Sequence, residues 1–433
     1  MENQTMTKDT SGGYKWVVLG MLTLVYTFNF IDRQIIVILA EPIKGELNLT
    51  DTDLGWLTGL AFAALYVILG IPIARYADKN NRKNVIVASL AIWSAMTAIS
   101  GRAMNFFQLF MARVGVGIGE AGGSPPAHSI ISDYFPPKKR ATALSIYSTG
   151  IYFGILLGYI GGGAIAQAYG WRMAFYAIGI PGIIFSLILY FVVKEPKKGQ
   201  NDIGGIVEET PSLKETINAL LTKKTFLFIA LGAGFNTFGT YGIGNFLPSF
   251  LSRVHHVDLG TISIVLGLST GVGGMAGTYL GGIIADRKSS NDKRWYAWVP
   301  LLAGMANLIP SMILFYTGMP KLAMAMSFVT SFFTAFYMGP CLAISHSLVN
   351  AKMRAFASSI FFFVLNFIGL GLGPLTIGML SDYFTPEYGN LSLRWAFSIT
   401  ILTGTISSIF FYMASKTYRN DLETYEESLV AAR

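Results

Sequence analysis

The chain has 433 residues, of which 52% are hydrophobic, 14% aromatic and only 13% charged, and its mean hydropathy is +0.51. A soluble globular chain carries about 25% charged residues, so a soluble enzyme, a disordered chain and a coiled coil are excluded. Unbroken apolar runs also exclude a membrane β-barrel, whose strands alternate. The formal charge of +8 needs no nucleic acid as partner, because basic residues in short loops hold those loops in the cytoplasm.

Runs long enough to cross a bilayer, about 20 residues each, lie near 15–40, 53–75, 84–101, 105–134, 141–167, 172–193, 225–251, 260–284, 295–317, 322–348, 355–380 and 395–414. They predict twelve helices, since a lipid-exposed backbone must satisfy its own hydrogen bonds. Of the 32 Lys and Arg residues, 24 fall in the termini, 75–83, 135–140, 194–224, 286–294 and 350–354. The loops on the other side hold Lys44, Arg102, Arg172, Arg253, Lys321 and Arg394, and Arg33 and Arg113 lie within spans. This asymmetry predicts cytoplasmic termini and a cytoplasmic middle loop. The expected organisation is a six-helix half (1–193), a linker (194–224), a second six-helix half (225–415) and a cytoplasmic tail (416–433). In the linker, Pro211-Ser212 with Glu215 reads as a helix start, and Leu213, Ile217, Leu220 and Leu221 share a face, which predicts a short amphipathic surface helix.

The halves echo each other in order. Ala74-Arg75-Tyr76-Ala77-Asp78-Lys79 with Arg82-Lys83 is answered by Ile283-Ile284-Ala285-Asp286-Arg287 with Lys293-Arg294. Lys139-Arg140-Ala141-Thr142-Ala143 is answered by Met353-Arg354-Ala355-Phe356-Ala357, and Trp171-Arg172-Met173-Ala174-Phe175 by Arg394-Trp395-Ala396-Phe397. Duplicated halves with a site between them near the midplane characterise transporters.

On these motifs, and on Arg113-Val114-Gly115-Val116-Gly117-Ile118-Gly119-Glu120-Ala121 in span 4, the sequence resembles the major facilitator superfamily over nearly its whole length. Phe30-Ile31-Asp32-Arg33 in span 1, together with that Arg–Glu motif, is similar to the spinster lipid transporters. The resemblance implies an all-α membrane protein of two pseudo-symmetric halves. It also implies a latch on the cytoplasmic side, made of Asp78, Arg82 and Asp133 with Asp286 and Arg287, that closes when the cavity opens outward. Basic residues alone would be explained by topology, but the repeated Asp would not.

Ionisable side chains inside spans are functional candidates by default, because placing them there is expensive. Asp32, Arg33, Arg113 and Glu120 qualify, all in the N-terminal half. From a rise of about 1.5 Å per residue, Asp32 and Arg113 both lie roughly 12 Å below the outer boundary, with Glu120 roughly 10 Å deeper on the Arg113 face. Asp32 is expected to pair with Arg113, with Arg33 turned about 100° away towards the outer interface. A carboxylate held ionised by Arg113 takes up a proton when moved into apolar surroundings, so Asp32, Glu120 and Arg113 are the proton-coupling candidates; the competing reading is a static charge network locking spans 1 and 4 together. Arg113, Arg33, Asn236, Thr237, Thr240, Tyr241 and Tyr337 are the substrate-binding candidates, with Asn245, Thr334 and Ser345 as further polar residues of spans 7 and 10, a charged wall facing neutral polar and aromatic groups. Gly150, Gly154 and Gly158 in span 5 are explained by close helix packing, and Trp171-Arg172 reads as an interface anchor.

No nucleophile–His–acid set or metal cluster is present, so neither an enzyme nor a cofactor is expected. The expected function is proton-coupled, alternating-access transport of an amphipathic lipid-like substrate, a lysophospholipid or sphingoid phosphate, by a monomer in the bacterial inner membrane surrounded by membrane lipids. The alternatives are an organic-anion/proton symporter, a drug/proton antiporter, or, from another class, a non-transporting receptor or a scramblase.

Overall fold

The computed structural model describes residues 13–199, 218–350 and 353–431. Ten stretches are long and apolar enough to cross a membrane. The last of them, Phe356–Tyr425, contains two helices, and span 4 is broken into two pieces too short to count, so twelve spans are present among the described residues. Spans 1 (Tyr14–Ile38), 3 (Arg82–Ser100), 5 (Pro137–Tyr169) and 6 (Trp171–Val192) are unbroken helices of the first half. Span 2 has two pieces, Asp51–Thr58 and Leu60–Lys79, and so has span 4, Phe106–Glu120 and Ser124–Tyr134. In the second half, spans 7 (Lys224–His255) and 9 (Trp295–Tyr316) are continuous. Span 8 (259–289) carries a π-helical stretch at Leu268–Gly273, span 10 (320–347) a 3₁₀ turn at Ala335–Tyr337, and span 11 (354–388) a π-helical stretch at Asn366–Leu372.

Span 12 (Ser392–Ala431) is a single helix of 40 residues. The expected boundary between half and tail at 415/416 therefore falls inside it. The continuation docks beneath its own half: Asp421 accepts a hydrogen bond from the Thr225 amide at 2.8 Å, capping the start of span 7, and Tyr418 meets Ser347 of span 10 at 3.0 Å. Most of the amphipathic linker helix expected at 211–221 lies outside the described residues; Leu220 is buried and Leu221 exposed.

The repeat read from the sequence is also a repeat of packing. Spans 1 and 5, 3 and 6, 3 and 4, and 2 and 4 pack together, and so do 7 and 11, 9 and 12, 9 and 10, and 8 and 10. In hydrocarbon, helices gain little from burying apolar surface and associate through close contact. Gly150, Gly154 and Gly158 supply that contact, since a Cβ on them would meet the backbone of span 1 at Thr23, Thr27 and Ile31. The halves meet along two seams, span 2 against span 11 and span 5 against span 8. The face that carries both described chain ends is called the terminal face below, and the other the far face.

Candidate translocation site

Span 1 places Asn29 and Asp32 one turn apart on its buried side. Span 4 stops at Glu120, turns through 121–123 and restarts at Ser124, where Pro125 and Pro126 lack the N–H that would continue the first helix. The acid thus sits at the end of a half-helix in mid-membrane, an irregularity tolerated where backbone is buried in protein or lines a cavity.

The charge pairing differs from the one expected. Arg33 Nε donates to Glu120 Oε2 at 2.8 Å, while Arg113 reaches only the backbone carbonyl of Asp32, at 3.4 Å. Helical side chains lean towards the N-terminus of their own helix. Span 1 begins at the terminal face, so Arg33 leans down towards the deeper Glu120 instead of up to the outer interface. Span 4 begins at the far face, so Arg113 leans up, away from Glu120. Both Asp32 carboxylate oxygens, Arg113 Nε and Glu120 Oε1 are buried without a hydrogen-bond partner, and Thr97 of span 3 faces the Asp32 carboxyl. The Arg33 guanidinium lies 5.0, 4.8 and 4.8 Å from the ring centres of Phe30, Phe62 and Tyr66.

Arg33 and Arg113 line a small cavity together with Phe30, Gln34, Thr58, Phe62, Tyr241, Asn245 and Leu370. Of the neutral candidates on the opposite wall, the structure brings Tyr241 and Asn245 to this cavity. Thr237 and Tyr337 are turned into the second half, where their hydroxyls meet at 3.2 Å, and Thr240 bonds back to the Asn236 carbonyl. Gln34, Thr58 and Phe62 were not singled out from the sequence. Gln34 carried the one usable signal, a polar residue directly after two charges in mid-span.

At the terminal face, Arg82 is 1% exposed and fully engaged. It donates to Asp133 at 2.5 Å, Ser129 at 2.8 Å, Glu195 at 2.7 Å and the Pro196 carbonyl at 3.0 Å. Glu195 also accepts from the Lys83 amide at 2.8 Å, Gly199 N donates to Asp133 at 3.0 Å, and Lys198 bonds the Asp78 carbonyl. Residues 193–199 therefore strap the ends of spans 2, 3 and 4. Of the five latch candidates the structure unites Arg82 and Asp133, with Glu195 of the linker as an unforeseen third member. The Asp78 side chain is exposed, Asp286 accepts from Tyr296 of its own half at 2.9 Å, and Arg287 is exposed.

The far face is closed by a network that sequence reading did not find. Arg253 at the end of span 7 forks onto Asp51 (2.7 and 2.7 Å) and onto Glu41 (2.6 to 3.1 Å). Lys44 (2.5 Å) and Ser381 (2.6 Å) complete the shell of Asp51, which is wholly buried. Asp382 accepts from the amides of Asp51 and Thr52 at 3.0 and 2.7 Å. Trp171 and Arg172 are more than interface anchors: they hold Glu46 at 2.6 and 2.7 Å.

The sequence profile of the Major Facilitator Superfamily matches residues 22–311 and 229–431. An MFS-type efflux pump of Mycolicibacterium smegmatis is 32% identical over 416 residues, covering 94% of either chain. Protein spinster homolog 3 of Danio rerio is 26% identical over 448 residues, covering 95% of this chain and 87% of its own. The crystal structure of a bacterial homologue of the human lysosomal transporter Spinster, inward-facing and unoccupied, superposes with a TM-score of 0.89 at 32% identity, covering 95% of this chain and 99% of that one. A twelve-span, duplicated, all-α membrane fold with these matches is a transporter and not an enzyme: the chain belongs to the major facilitator superfamily and resembles its spinster members.

Proposed function

We propose that the protein is a proton-coupled secondary transporter that moves a single-chain amphipathic lipid with an anionic head by alternating access between its two halves. The observation that carries this reading is Arg33 on the cavity wall, paired with Glu120 buried behind it. The Glu120 side chain has no exposure, whereas Arg33 keeps 12%. Protonation of Glu120 removes the charge that holds Arg33, and the freed guanidinium then offers its fork to a phosphate or carboxylate head. Proton and anion thus occupy the site together, which is the logic of symport. Phe30, Phe62, Tyr241 and Leu370 give an acyl tail an apolar wall. Leaving one apolar medium for another gains the tail little, so selectivity rests on the head. Arg113, which lines the cavity beside Arg33, and Asp32, buried behind them, complete the coupling set. In this reading the terminal face is cytoplasmic, by the basic-residue asymmetry, the membrane is the bacterial inner membrane, and the working unit is a monomer.

The test is uptake in proteoliposomes. Single-chain phospholipid or sphingoid phosphate should show saturable, pH-gradient-driven uptake that Arg33→Ala or Arg113→Ala weakens strongly. A short sugar acid should be transported poorly. Preference for the sugar acid with no response to the lipid would move the assignment to an organic-anion symporter. The similarity to an efflux pump favours one further reading, proton antiport of a cationic amphiphile that competes with the proton at Glu120; a cationic dye expelled while the anionic lipid is ignored would select it.

A further inference from the structure

The outer piece of span 2 belongs to one half by sequence and to the other by packing. Helix Asp51–Thr58 is severed from the rest of its span at Gly59, whose φ of −112° and ψ of −103° lie outside the helical region. Its densest packing is with span 11 of the opposite half, and there backbone lies directly on backbone. A Cβ on Gly55 would stand 2.7 Å from the Pro374 carbonyl oxygen, one on Gly59 2.7 Å from that of Gly371, and one on Gly378 would collide with the Asp51 carbonyl.

The helix start is capped from across the seam as well. The first N–H groups of a helix have no partner within it, and those of Asp51 and Thr52 are satisfied by the Asp382 carboxylate of span 11 at 3.0 and 2.7 Å. A negative charge at this end also suits the helix dipole. Separating this helix from span 11 would uncap it and strip a tightly fitted surface. The neighbouring boundary between spans 1, 7 and 8 is looser. It encloses a cavity of about 310 Å³ lined by Ile38, Glu41, Pro42, Pro248, Ser252 and Leu259 among others, and the Glu41–Arg253 pair bridges it.

We propose that helix Asp51–Thr58 is a gate leaf that stays seated on span 11 when the far face opens, with Gly59 as its hinge. The opening then runs along the span 1–span 7 boundary and parts the far end of span 5 from span 8. Arg253 keeps Asp51, which travels with it, while Glu41 parts from Arg253 and Lys44 from Asp51. The proposal rests on the alternating-access reading above.

The test uses the full chain in lipid nanodiscs with pairs of spin labels. One pair, on Thr52→Cys and Tyr383→Cys, spans leaf and span 11. The other, on Met104→Cys and Tyr383→Cys, spans the rest of the first half and span 11; Met104 and Tyr383 are 78% and 77% exposed, so labels fit there. Each pair is measured with and without the double change Glu41→Ala and Lys44→Ala, which removes both ties from helix Ala40–Leu47 across the looser boundary. The expected result is that the double change lengthens the 104–383 distance and leaves the 52–383 distance unchanged. If both lengthen together, the leaf moves with its own half and the proposal is overturned. If neither moves, these ties do not hold the far face shut and the proposal is overturned, whereas the alternating-access reading is judged by the uptake assay above. Glu387→Cys replaces Tyr383→Cys if that variant does not assemble.

Discussion

Replacing Arg82 by Ala should release the strap formed by residues 193–199. In the native protein this side chain supplies four of the strap and end-of-span contacts, to Asp133, Ser129, Glu195 and the Pro196 carbonyl. Breaking a buried pair by deleting one partner costs about 3–5 kcal/mol, because the remaining charge is stranded. Glu195 is 21% exposed and can turn to water, which places the cost at the lower end, about 3 kcal/mol. When segments open and close faster than they are cut, proteolysis tracks the open population. A loss of about 3 kcal/mol then corresponds to roughly a hundredfold faster cleavage, at 1.4 kcal/mol per decade. The assay is limited trypsinolysis in detergent or nanodiscs, with cleavage after Lys197 and Lys198 followed by mass spectrometry. Glu195→Gln, which keeps the shape and loses one charge, should fall between the two. Unchanged cleavage after Lys197 in a folded Arg82→Ala protein would show that Arg82 does not hold the strap, and the reasoning would fail.

Reporters fused at residue 205 and at the C-terminus should read cytoplasmic and one within 381–393 should read outside; a reversed reading at any of them contradicts the proposed orientation. Glu120→Gln should abolish the response of transport to a pH gradient while leaving the protein folded, and Asp32→Asn should do the same, so gradient-driven uptake at native rate in either variant would make that acid structural. The Trp171 indole and the Arg172 guanidinium hold the Glu46 carboxylate below its ordinary range. A depressed carboxylate contributes fully above its unfolded value and is lost as pH falls through the folded one. The tie from span 6 to helix Ala40–Leu47 should therefore weaken only in acid, and Glu46→Gln should lower thermal stability at pH 7 by more than it does once the pH has fallen below the ordinary carboxylate range; a loss that grows as the pH falls would refute the sign.

The spans were readable because hydropathy and loop charge are local properties of the chain, and nearly every predicted run falls on a helix. The repeat was readable for the same reason, as three short echoes in order. Pairing was not. Asp32, Arg33, Arg113 and Glu120 were identified, but their partners depend on which way each helix runs and therefore on which way each side chain leans. Depth along the membrane normal, estimated from rise per residue, carried no information on that. The far-face network lay beyond sequence reasoning altogether: Asp51 meets Arg253 and Ser381 across 202 and 330 positions, and each alone reads as an ordinary loop or helix-end residue. Thr237 and Tyr337 mark a further limit, since polar residues in a span serve each other as readily as they serve a ligand.

The strap also changes what joins the two halves. Because the chain is fastened to the first half as far as Gly199, and span 12 runs on to cap the start of span 7 through Asp421, each half carries its own closing piece at the equivalent place in the repeat. Mechanically, each six-helix unit carries its own fastening, and by Leu220, buried among Phe226, Ile229 and Ala297, the chain already belongs to the second unit. A gene divided just after Gly199 would therefore encode two self-contained fragments able to reassemble in a membrane, whereas a division before Lys194 would send Glu195 away with the wrong partner.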